Sequence, residues 1–262
     1  MTATRAGAPR SLRRYAHSLW LLSARDLRVR YATSWLGYLW SVLDPLVMSA
    51  IYWFVFTQIF HRAGEEPYIV FLIAALLPWV WFNAAVTDFT KAFSKDAKLV
   101  RSTSIPRSIW IGRIVLSKGV EFLCALPVLA IFVIANGATV GWGLLWFPVA
   151  ILVQLALLVG LGLIVAPLCV LFSDLERTTR LILRALFYAS PIIYSVKDLP
   201  DGFGWLDMAN PLAGIFTMYR AGFFPGQWDT AAVVSSVVLS LIVLIAGVLT
   251  FRALERPVLK EL

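Results

Sequence analysis

The sequence is poor in the residues that soluble enzymes use for their surfaces and their chemistry. Only 15% of its 262 residues are charged and 60% are apolar, which is far from the balance of a soluble domain. His17 and His61 are isolated, and Cys124 and Cys169 lie inside apolar runs without metal or redox spacing, so we expect both cysteines to be buried and no metal to bind. The sequence also contains no catalytic triad, no zinc motif and no GxxxxGK[ST] phosphate loop. We therefore expect no enzyme and no cofactor in this chain, so uphill work would need another chain or an ion gradient.

Long apolar runs dominate what is present. About 20 apolar residues are needed to cross a bilayer, and the sequence predicts an all-α polytopic membrane protein that forms one transmembrane domain over residues 1–262. The fifth run is short and precedes an apolar stretch interrupted by proline and glycine, which predicts short re-entrant or interfacial helices within the outside segment 197–229. The six predicted spans are 35–60, 69–89, 114–135, 144–172, 181–196 and 231–251.

The positive charges are distributed unevenly between the two sides of these spans. If the N-terminus is inside, 19 of the 23 lysines and arginines fall in the inside segments, and only Arg62, Lys197 and Arg220 fall outside. Such a bias predicts that both termini are cytoplasmic. The net charge of +8 does not indicate nucleic-acid binding, because the cations lie at the ends of apolar runs and form no basic face.

The segment before the first span has the pattern of an amphipathic helix. Residues 10–31 place apolar side chains on one side and arginines on the other over roughly four turns, although Asp26 and Arg30 interrupt the apolar side. This pattern favours a helix on the cytoplasmic membrane surface over a solvated basic tail. The residues with which it would meet a partner are Arg25, Asp26, Arg28, Arg30 and Tyr31.

The longest inside connection, residues 91–113, mixes cations with apolar side chains. Its charge is explained by its cytoplasmic position, but Val100 and Trp110 would be poorly placed in a loop that faces only water. We interpret the segment as a short helix seated in a groove of a soluble partner. The alternative is that Ile109 and Ile111 simply form the inner end of the third span. The candidate contact residues are Lys98, Leu99, Arg101, Ser104, Ile105, Pro106 and Arg107.

Charged residues within apolar spans are costly and therefore informative. Lys118 and Glu121 are three residues apart on one helical face, which predicts an ion pair. Asp88 lies close enough to Lys91 for the same explanation. Asp44, which precedes Pro45, has no local partner, so it serves either proton coupling or a hydrogen bond at a helix kink.

Aromatic residues are abundant in the first two spans. An interfacial aromatic belt suits those near the span ends, whereas Trp79 and Trp81 lie about ten residues into their span. Aromatic faces at mid-membrane stack on the apolar faces of sugars, which favours a passage for saccharides. The candidate lining residues are Tyr38, Trp40, Tyr52, Trp53, Trp79, Trp81 and Phe82.

Five stretches of the chain together resemble a known family. They are RDLRVRY with LGYLWSVLDPL in 25–46, KLVRSTSIPRSIWI at 98–111, FSDLERTTRLILRALFYASPIIYS at 172–195, NPLAGIFTMYRAGFF at 210–224 and FRALERPVLKEL at 251–262. The chain resembles the membrane subunits of type-2 ABC exporters of lipid-linked polysaccharides such as O-antigen, teichoic acid and cell-wall galactan. Many relatives carry Asn-Pro or Glu-Pro where this chain has Asp44-Pro45, which argues against an obligatory proton carrier.

The resemblance implies a homodimer of six-helix subunits in the bacterial cytoplasmic membrane, with two ATP-binding cassette subunits that hold ATP and Mg. It assigns both candidate contact regions to the ATPase, and it implies an aromatic-lined channel between the subunits. Arginine outnumbers lysine 17 to 6, a bias that favours a polyprenyl-diphosphate-linked galactan, with O-antigen as the alternative. A drug or small-lipid exporter, a membrane enzyme of lipid-linked sugar metabolism and a proton-coupled carrier are the other readings. The implied extracytoplasmic gate residues are Asn210, Pro211, Tyr219 and Arg220.

Overall fold

The computed structural model describes residues 8–31, 39–59, 67–102, 105–195 and 204–261, and within these ranges the chain is helical and contains no strand. This confirms the all-α class. Helix α2 continues into a π-helical stretch, Phe54–Ile59, and a 3-10 turn, Trp142–Leu145, leads into α6. The helices are α1 Ala8–Tyr31, α2 Trp40–Trp53, α3 Tyr68–Phe89, α4 Ala97–Ser102, α5 Ser108–Ala135, α6 Trp146–Leu171, α7 Leu175–Ala189, α8 Trp205–Ala209, α9 Pro211–Arg220 and α10 Thr230–Glu261.

Four helices in the described ranges are long and apolar enough to cross a membrane: α3, α5, α6 with its leading turn, and α10. The 22 residues of α3 rise about 33 Å, which matches a hydrocarbon core of about 30 Å. The fifth predicted span, 181–196, differs from the helix found there, because α7 begins at Leu175 and ends at Ala189. Its 15 residues rise only about 22 Å. The count of six spans stays a prediction.

Helix α3 is the centre of the bundle. It is apolar on every side, and α2, α5, α6, α7 and α9 all pack against it. A helix without a polar face is stable only when other helices or lipid enclose it, and here most of its span is enclosed by protein. Every element with a candidate functional residue beyond α1 and α4 therefore lies on or next to α3.

Glycines allow α6 and α10 to cross at close range. A Cβ atom on Gly160 would lie 2.7 Å from the backbone of Leu244, and one on Gly247 would lie 2.4 Å from the carbonyl oxygen of Gly160. Small residues let membrane helices approach until their backbones touch, which increases dispersion contacts. The pairing of α6 with α10 depends on both glycines.

Helix α9 lies in the stretch where the sequence predicts short outside helices. It packs against the start of α10, where the Gly214 N–H donates a hydrogen bond of 2.9 Å to the Ser236 hydroxyl oxygen. A side chain on Gly214 would collide with the Ala232 carbonyl. The backbone of α9 is therefore fixed directly on α10.

The expectation that both cysteines are buried is wrong for Cys124. This residue is exposed on α5, whereas Cys169 is half-buried on α6, and both are free thiols. An apolar run predicts a helix that is surrounded by apolar material, but it does not say whether protein or lipid surrounds a given side. The exposed thiol of Cys124 follows from its position on the outer side of the bundle.

Candidate functional site

Helix α1 is held against the beginning of α5. The Tyr15 and Ser108 hydroxyl oxygens are 3.2 Å apart, and the Ser23 hydroxyl donates to the carbonyl oxygens of Leu19, at 2.8 Å, and Arg113, at 3.4 Å. Gly112 leaves room for this approach, because a Cβ atom there would lie 3.0 Å from a Leu19 methyl group. The predicted interface helix is thus packed on the helix that follows the inside connection.

A buried guanidinium connects these elements electrostatically. The side chain of Arg113 is only 3% exposed, and its Nη2 lies 2.6 Å from Oδ2 of Asp96 while its Nη1 lies 3.4 Å from Oδ1 of Asp26. Asp96 also accepts a bond of 3.2 Å from Nη2 of Arg25. The guanidinium carbon of Arg113 lies 4.9 Å from the ring centre of Trp110. A buried charge is tolerated only with such partners, so α1, the α3–α4 connection and α5 are tied at one point.

The two carboxylates of this network respond differently to their surroundings. Burial acts to raise the pKa of Asp96, but the hydrogen bonds and charges of Arg113 and Arg25 outweigh it and hold that pKa below its ordinary value. Burial raises the pKa of Asp26 above its ordinary value despite the same two arginines. Asp26 and Asp96 line a cavity of about 340 Å³ that Lys91 also borders. Asp96 is therefore the more firmly ionised partner of Arg113.

The apolar residues of the inside connection are buried within this chain itself. Val100, Ile109, Trp110 and Ile111 are almost fully buried within this chain, and α5 already begins at Ser108. The structure therefore favours the alternative explanation of Ile109, Trp110 and Ile111 as the inner end of a span, while Val100 is buried within α4, and the reason for placing these residues in a partner's groove is removed. The candidate contact residues that remain exposed are Lys98, Arg101 and Pro106, while Leu99, Ile105 and Arg107 are half-buried and Ser104 lies outside the described residues.

The inside connection also contacts the end of α10, and α1 carries further candidate contact residues. Nη1 of Arg107 lies 3.7 Å from Oε1 of Glu255, which links the inside connection to the last turns of α10. On α1, Arg25 and Arg28 are exposed, whereas Asp26 is half-buried beside Arg113. The side chains of Arg30 and Tyr31 lie outside the described part of the chain.

Within the described part of the spans, Lys118 is paired with acidic side chains. Nζ of Lys118 lies 3.2 Å from Glu121, which confirms the predicted ion pair, and 3.7 Å from Asp88. Nζ of Lys91, which we expected to pair with Asp88, lies 3.1 Å from Glu176 on α7. Helix geometry alone did not indicate this cross-helix partner. Asp44 lies within α2, and its side chain falls outside the described part.

Trp79 and Trp81 point to opposite sides of α3. Trp81 stacks on Phe122 of α5 with ring centres 5.1 Å apart, whereas the ring of Trp79 lies 5.5 Å from that of Phe187 on α7. Residues two apart on an α-helix are separated by about 200°, so the two indoles do not share a surface. Phe82 lies on the Trp79 side, with ring centres 5.8 Å apart.

Trp79 borders a cleft of about 520 Å³ between α2, α3 and α7. Its walls include Tyr52, whose ring stacks on Phe187 at 5.8 Å, and the exposed Tyr188. The α7 wall was not predicted from the sequence, although its residues recur at the i, i+4, i+7, i+8 spacing of one helical face. Of the other candidate lining residues, Trp40 and Trp53 are exposed on α2, and Tyr38 lies outside the described residues. The α7 residues of this wall are Arg180, Arg184, Phe187 and Tyr188.

The four predicted gate residues lie at the two ends of α9. The Asn210 side chain caps the helix by accepting from the Leu212 N–H at 3.0 Å and donates to the Ser190 hydroxyl at 2.8 Å, while Pro211 occupies the first turn. Tyr219 is buried at the other end, with its ring 4.7 Å from that of Phe147. These contacts fix α9 against the end of α7 and against α6.

Arg220 is one of three almost fully buried cations in the described ranges, together with Arg113 and Lys118. It donates to the carbonyl oxygens of Phe71 at 3.0 Å, Pro191 at 2.6 Å and Ile192 at 2.7 Å, and its guanidinium carbon lies 3.4 Å from the Phe71 ring centre. Backbone carbonyls thus take the place of a carboxylate. Arg220 joins α9 to α3 and to the turn after α7, so any gating movement of α9 would have to carry or break these bonds.

Comparison with known proteins assigns the chain to a family. A model of the ABC-2 type transporter family matches residues 17–224. An O-antigen export system permease protein of Klebsiella pneumoniae is 33% identical over 236 residues, covering 90% of this chain and 91% of that protein. A protein of the same name from Myxococcus xanthus is 30% identical over 82% of this chain and 83% of its own length. A polysialic acid transport protein of Escherichia coli is 22% identical over 91% of this chain and 93% of its own length. The chain therefore belongs to the ABC-2 type transporter family of membrane proteins.

Proposed function

We propose that this chain is the permease subunit of an ATP-driven exporter that moves a lipid-linked polysaccharide from the cytoplasmic to the outer face of the bacterial inner membrane. The observation that carries the proposal is the match over nine tenths of the chain to proteins named O-antigen export permeases. The absence of a phosphate loop from the sequence agrees with ATP and Mg being bound by two separate ATP-binding cassette subunits.

The partner ATPase contacts the exposed cations of α1 and of the inside connection in this proposal. Arg25, Arg28, Lys98 and Arg101 are exposed, and a complementary acidic surface would attract them. A displacement of α1 or α4 would reach the membrane helices through the ion pairs of Asp96, because these join α1 and the connection to the buried Arg113 of α5. In this proposal, movement of the ATPase is thus transmitted to the beginning of α5.

The permease acts as a homodimer whose channel runs between the two copies. Apolar side chains such as Ile51 on α2 and Ile182 on α7 are exposed in the single chain, and a second copy or membrane lipid would cover them. Trp40 and Trp53 are both exposed on α2, but they lie about 220° apart on the helix, so one of them would face the passage and the other its rim or lipid. Both termini are cytoplasmic in this arrangement, and α9 lies toward the outside as the gate.

We propose an O-antigen type of polysaccharide ahead of a cell-wall galactan. The arginine bias that favours galactan reflects composition only, whereas three of the relatives carry O-antigen in their names. A drug or small-lipid exporter would have less use for the aromatic walls of the cleft. A membrane enzyme acting on lipid-linked sugars would need clustered acids facing one aqueous side, and the acids described above are paired with cations inside the bundle.

Depletion of the protein in its native host tests the proposal. We expect lipid-linked polymer to accumulate in the cytoplasmic leaflet while polymer on the cell surface falls. Re-expression of the unchanged chain should restore surface polymer, and induction of an unrelated permease provides the control. Normal surface polymer combined with altered drug tolerance would refute the assignment.

The docking surface has its own test. Arg101→Glu reverses an exposed charge without removing a described ion pair, and we expect it to reduce co-purification of the ATPase strongly. Arg252→Glu on α10 is the matched control, since it also reverses an exposed charge but on another helix. Undiminished complex with Arg101→Glu would contradict the placement of the ATPase at α4.

A further inference from the structure

The cleft between α2, α3 and α7 joins two kinds of surface. One end carries Arg180 and Arg184, one helical turn apart on α7, and the rest of the wall is largely aromatic and aliphatic. Lipid-facing helices gain nothing from guanidinium groups that border an apolar cleft, and a cation that merely sets topology does not require an aromatic wall beside it. A cavity of about 520 Å³ also falls in the range of roughly 300–1,000 Å³ that holds small ligands.

The chemistry of the two parts defines a ligand. Two guanidinium groups bind phosphate oxygens through paired N–H bonds, which is the strongest recognition available to a side chain for this anion. The rings of Tyr52, Trp79 and Tyr188 offer faces for a sugar, and Asn83 and Thr87 on the α3 wall supply an amide and a hydroxyl for sugar hydroxyl groups. The complementary molecule has an anionic phosphate joined directly to a saccharide.

We infer that this cleft is the binding site for the phosphate–sugar junction of a lipid-linked saccharide, with Arg180 and Arg184 on the phosphate and Tyr188 against the first sugar. The inference rests on the proposed export function and adds the part of the substrate that this chain recognises. Arg180 and Arg184 lie in the part of α7 that the charge distribution assigns to the cytoplasmic side, where such a substrate would be picked up.

Glu176 competes with the ligand for one of the arginines. Its Oε1 accepts a bond of 2.7 Å from Nη1 of Arg180 and lies 3.1 Å from Nζ of Lys91. A phosphate that binds Arg180 would therefore loosen the contact of Glu176 with Arg180, and Lys91 stands at the start of the inside connection. Occupancy of the cleft is thereby linked to the segment that we assign to the ATPase.

Binding of a radiolabelled polyprenyl diphosphate to the purified full chain in phosphatidylcholine nanodiscs tests the inference. We expect Arg180→Gln and Arg184→Gln each to raise Kd about tenfold, because each removes hydrogen bonds from a charged donor. Glu176→Gln should lower Kd, since it frees Arg180. Arg177→Gln is the matched control, because Arg177 is exposed on the same helix but does not line the cleft, and its Kd should stay unchanged.

A second set of binding measurements tests the contact with the sugar. A polyprenyl diphosphate that carries one hexose should bind more tightly than the bare diphosphate, and Tyr188→Ala should remove that difference without unfolding the chain, since Tyr188 is exposed. Unchanged Kd in both arginine variants, an equal loss in Arg177→Gln, or displacement by inorganic pyrophosphate at the affinity of the lipid would each overturn the inference. These measurements need neither ATPase nor transport, so the cleft could fail while depletion in the host still shows an exporter.

Discussion

The substitution Asp96→Asn tests the ion network most severely. It removes the carboxylate that lies 2.6 Å from the buried Arg113 and 3.2 Å from Arg25. Breaking a buried pair by removing one partner costs roughly 3–5 kcal/mol, and we expect the lower end, about 3 kcal/mol, because Asp26 at 3.4 Å still faces Arg113. The half-exposed pair with Arg25 adds at most about 1 kcal/mol.

The stabilising effect of Asp96 depends on pH, and the lowered pKa of Asp96 determines whether the effect grows or shrinks as pH falls. The pKa is lower in the folded chain than its ordinary value of 3.8, so the contribution is complete above that value and is lost as pH falls through the lower, folded pKa. The difference between the unchanged chain and Asp96→Asn should therefore be constant near neutral pH and shrink below about pH 4. The charge of Asp96 is one cause of the raised pKa of Asp26, so Asp96→Asn also lowers the pKa of Asp26.

The assay is reversible unfolding in mixed detergent micelles, followed by the loss of helical circular dichroism at several pH values. Asp174→Asn serves as the matched control, because Asp174 is exposed before α7. A loss below about 1 kcal/mol for Asp96→Asn at pH 7, or a difference that grows as pH falls below 4, would refute the proposed role of the network.

Three further substitutions examine how the helices are joined. Gly247→Ala should destabilise the chain by about 1–3 kcal/mol, because the new methyl group would meet the Gly160 carbonyl. Gly226→Ala is the control and should be tolerated, since a methyl group there meets nothing within 4 Å. Both variants are compared by thermal unfolding. Asn210→Ala should cost about 1 kcal/mol through loss of the α9 cap, and Asn210→Asp, which keeps an acceptor, should cost less by the same measurement. Arg220→Met should leave three carbonyl oxygens without their donor. We therefore expect amide hydrogens of residues 190–195 to exchange faster in this variant than in the unchanged chain. Equal exchange rates would contradict the anchoring role of Arg220.

The apolar helices were predictable because hydropathy is a local property. The predicted span 69–89 differs by one residue from Tyr68–Phe89, and 231–251 begins one residue after α10. Helix α10 itself continues for ten residues beyond this predicted span as a polar extension to Glu261. Hydropathy marks the part of a helix that meets lipid or protein and does not mark where the helix ends.

The candidate site was only partly predictable, because its contacts join distant parts of the chain. Asp96 and Arg113 are 17 residues apart, and nothing in their spacing indicates that a turn and a short helix bring them together. Burial of Val100 and Trp110 likewise depends on neighbours from other helices. Helix geometry alone predicts that Trp79 and Trp81 lie on different sides of α3, because positions two apart are separated by about 200° around the helix axis. Grouping the two residues only because both are aromatic did not take this into account.

In the proposed function, this chain carries a lipid-linked polysaccharide across a membrane when a partner hydrolyses ATP. The direct measurement uses proteoliposomes that hold this chain with its co-purified ATPase and a lipid-linked O-polysaccharide in the outer leaflet, with ATP added outside. We predict that the fraction of polymer protected from an added glycosidase rises with ATP only when both proteins are present. A protected fraction equal to that of vesicles without this chain would contradict the account.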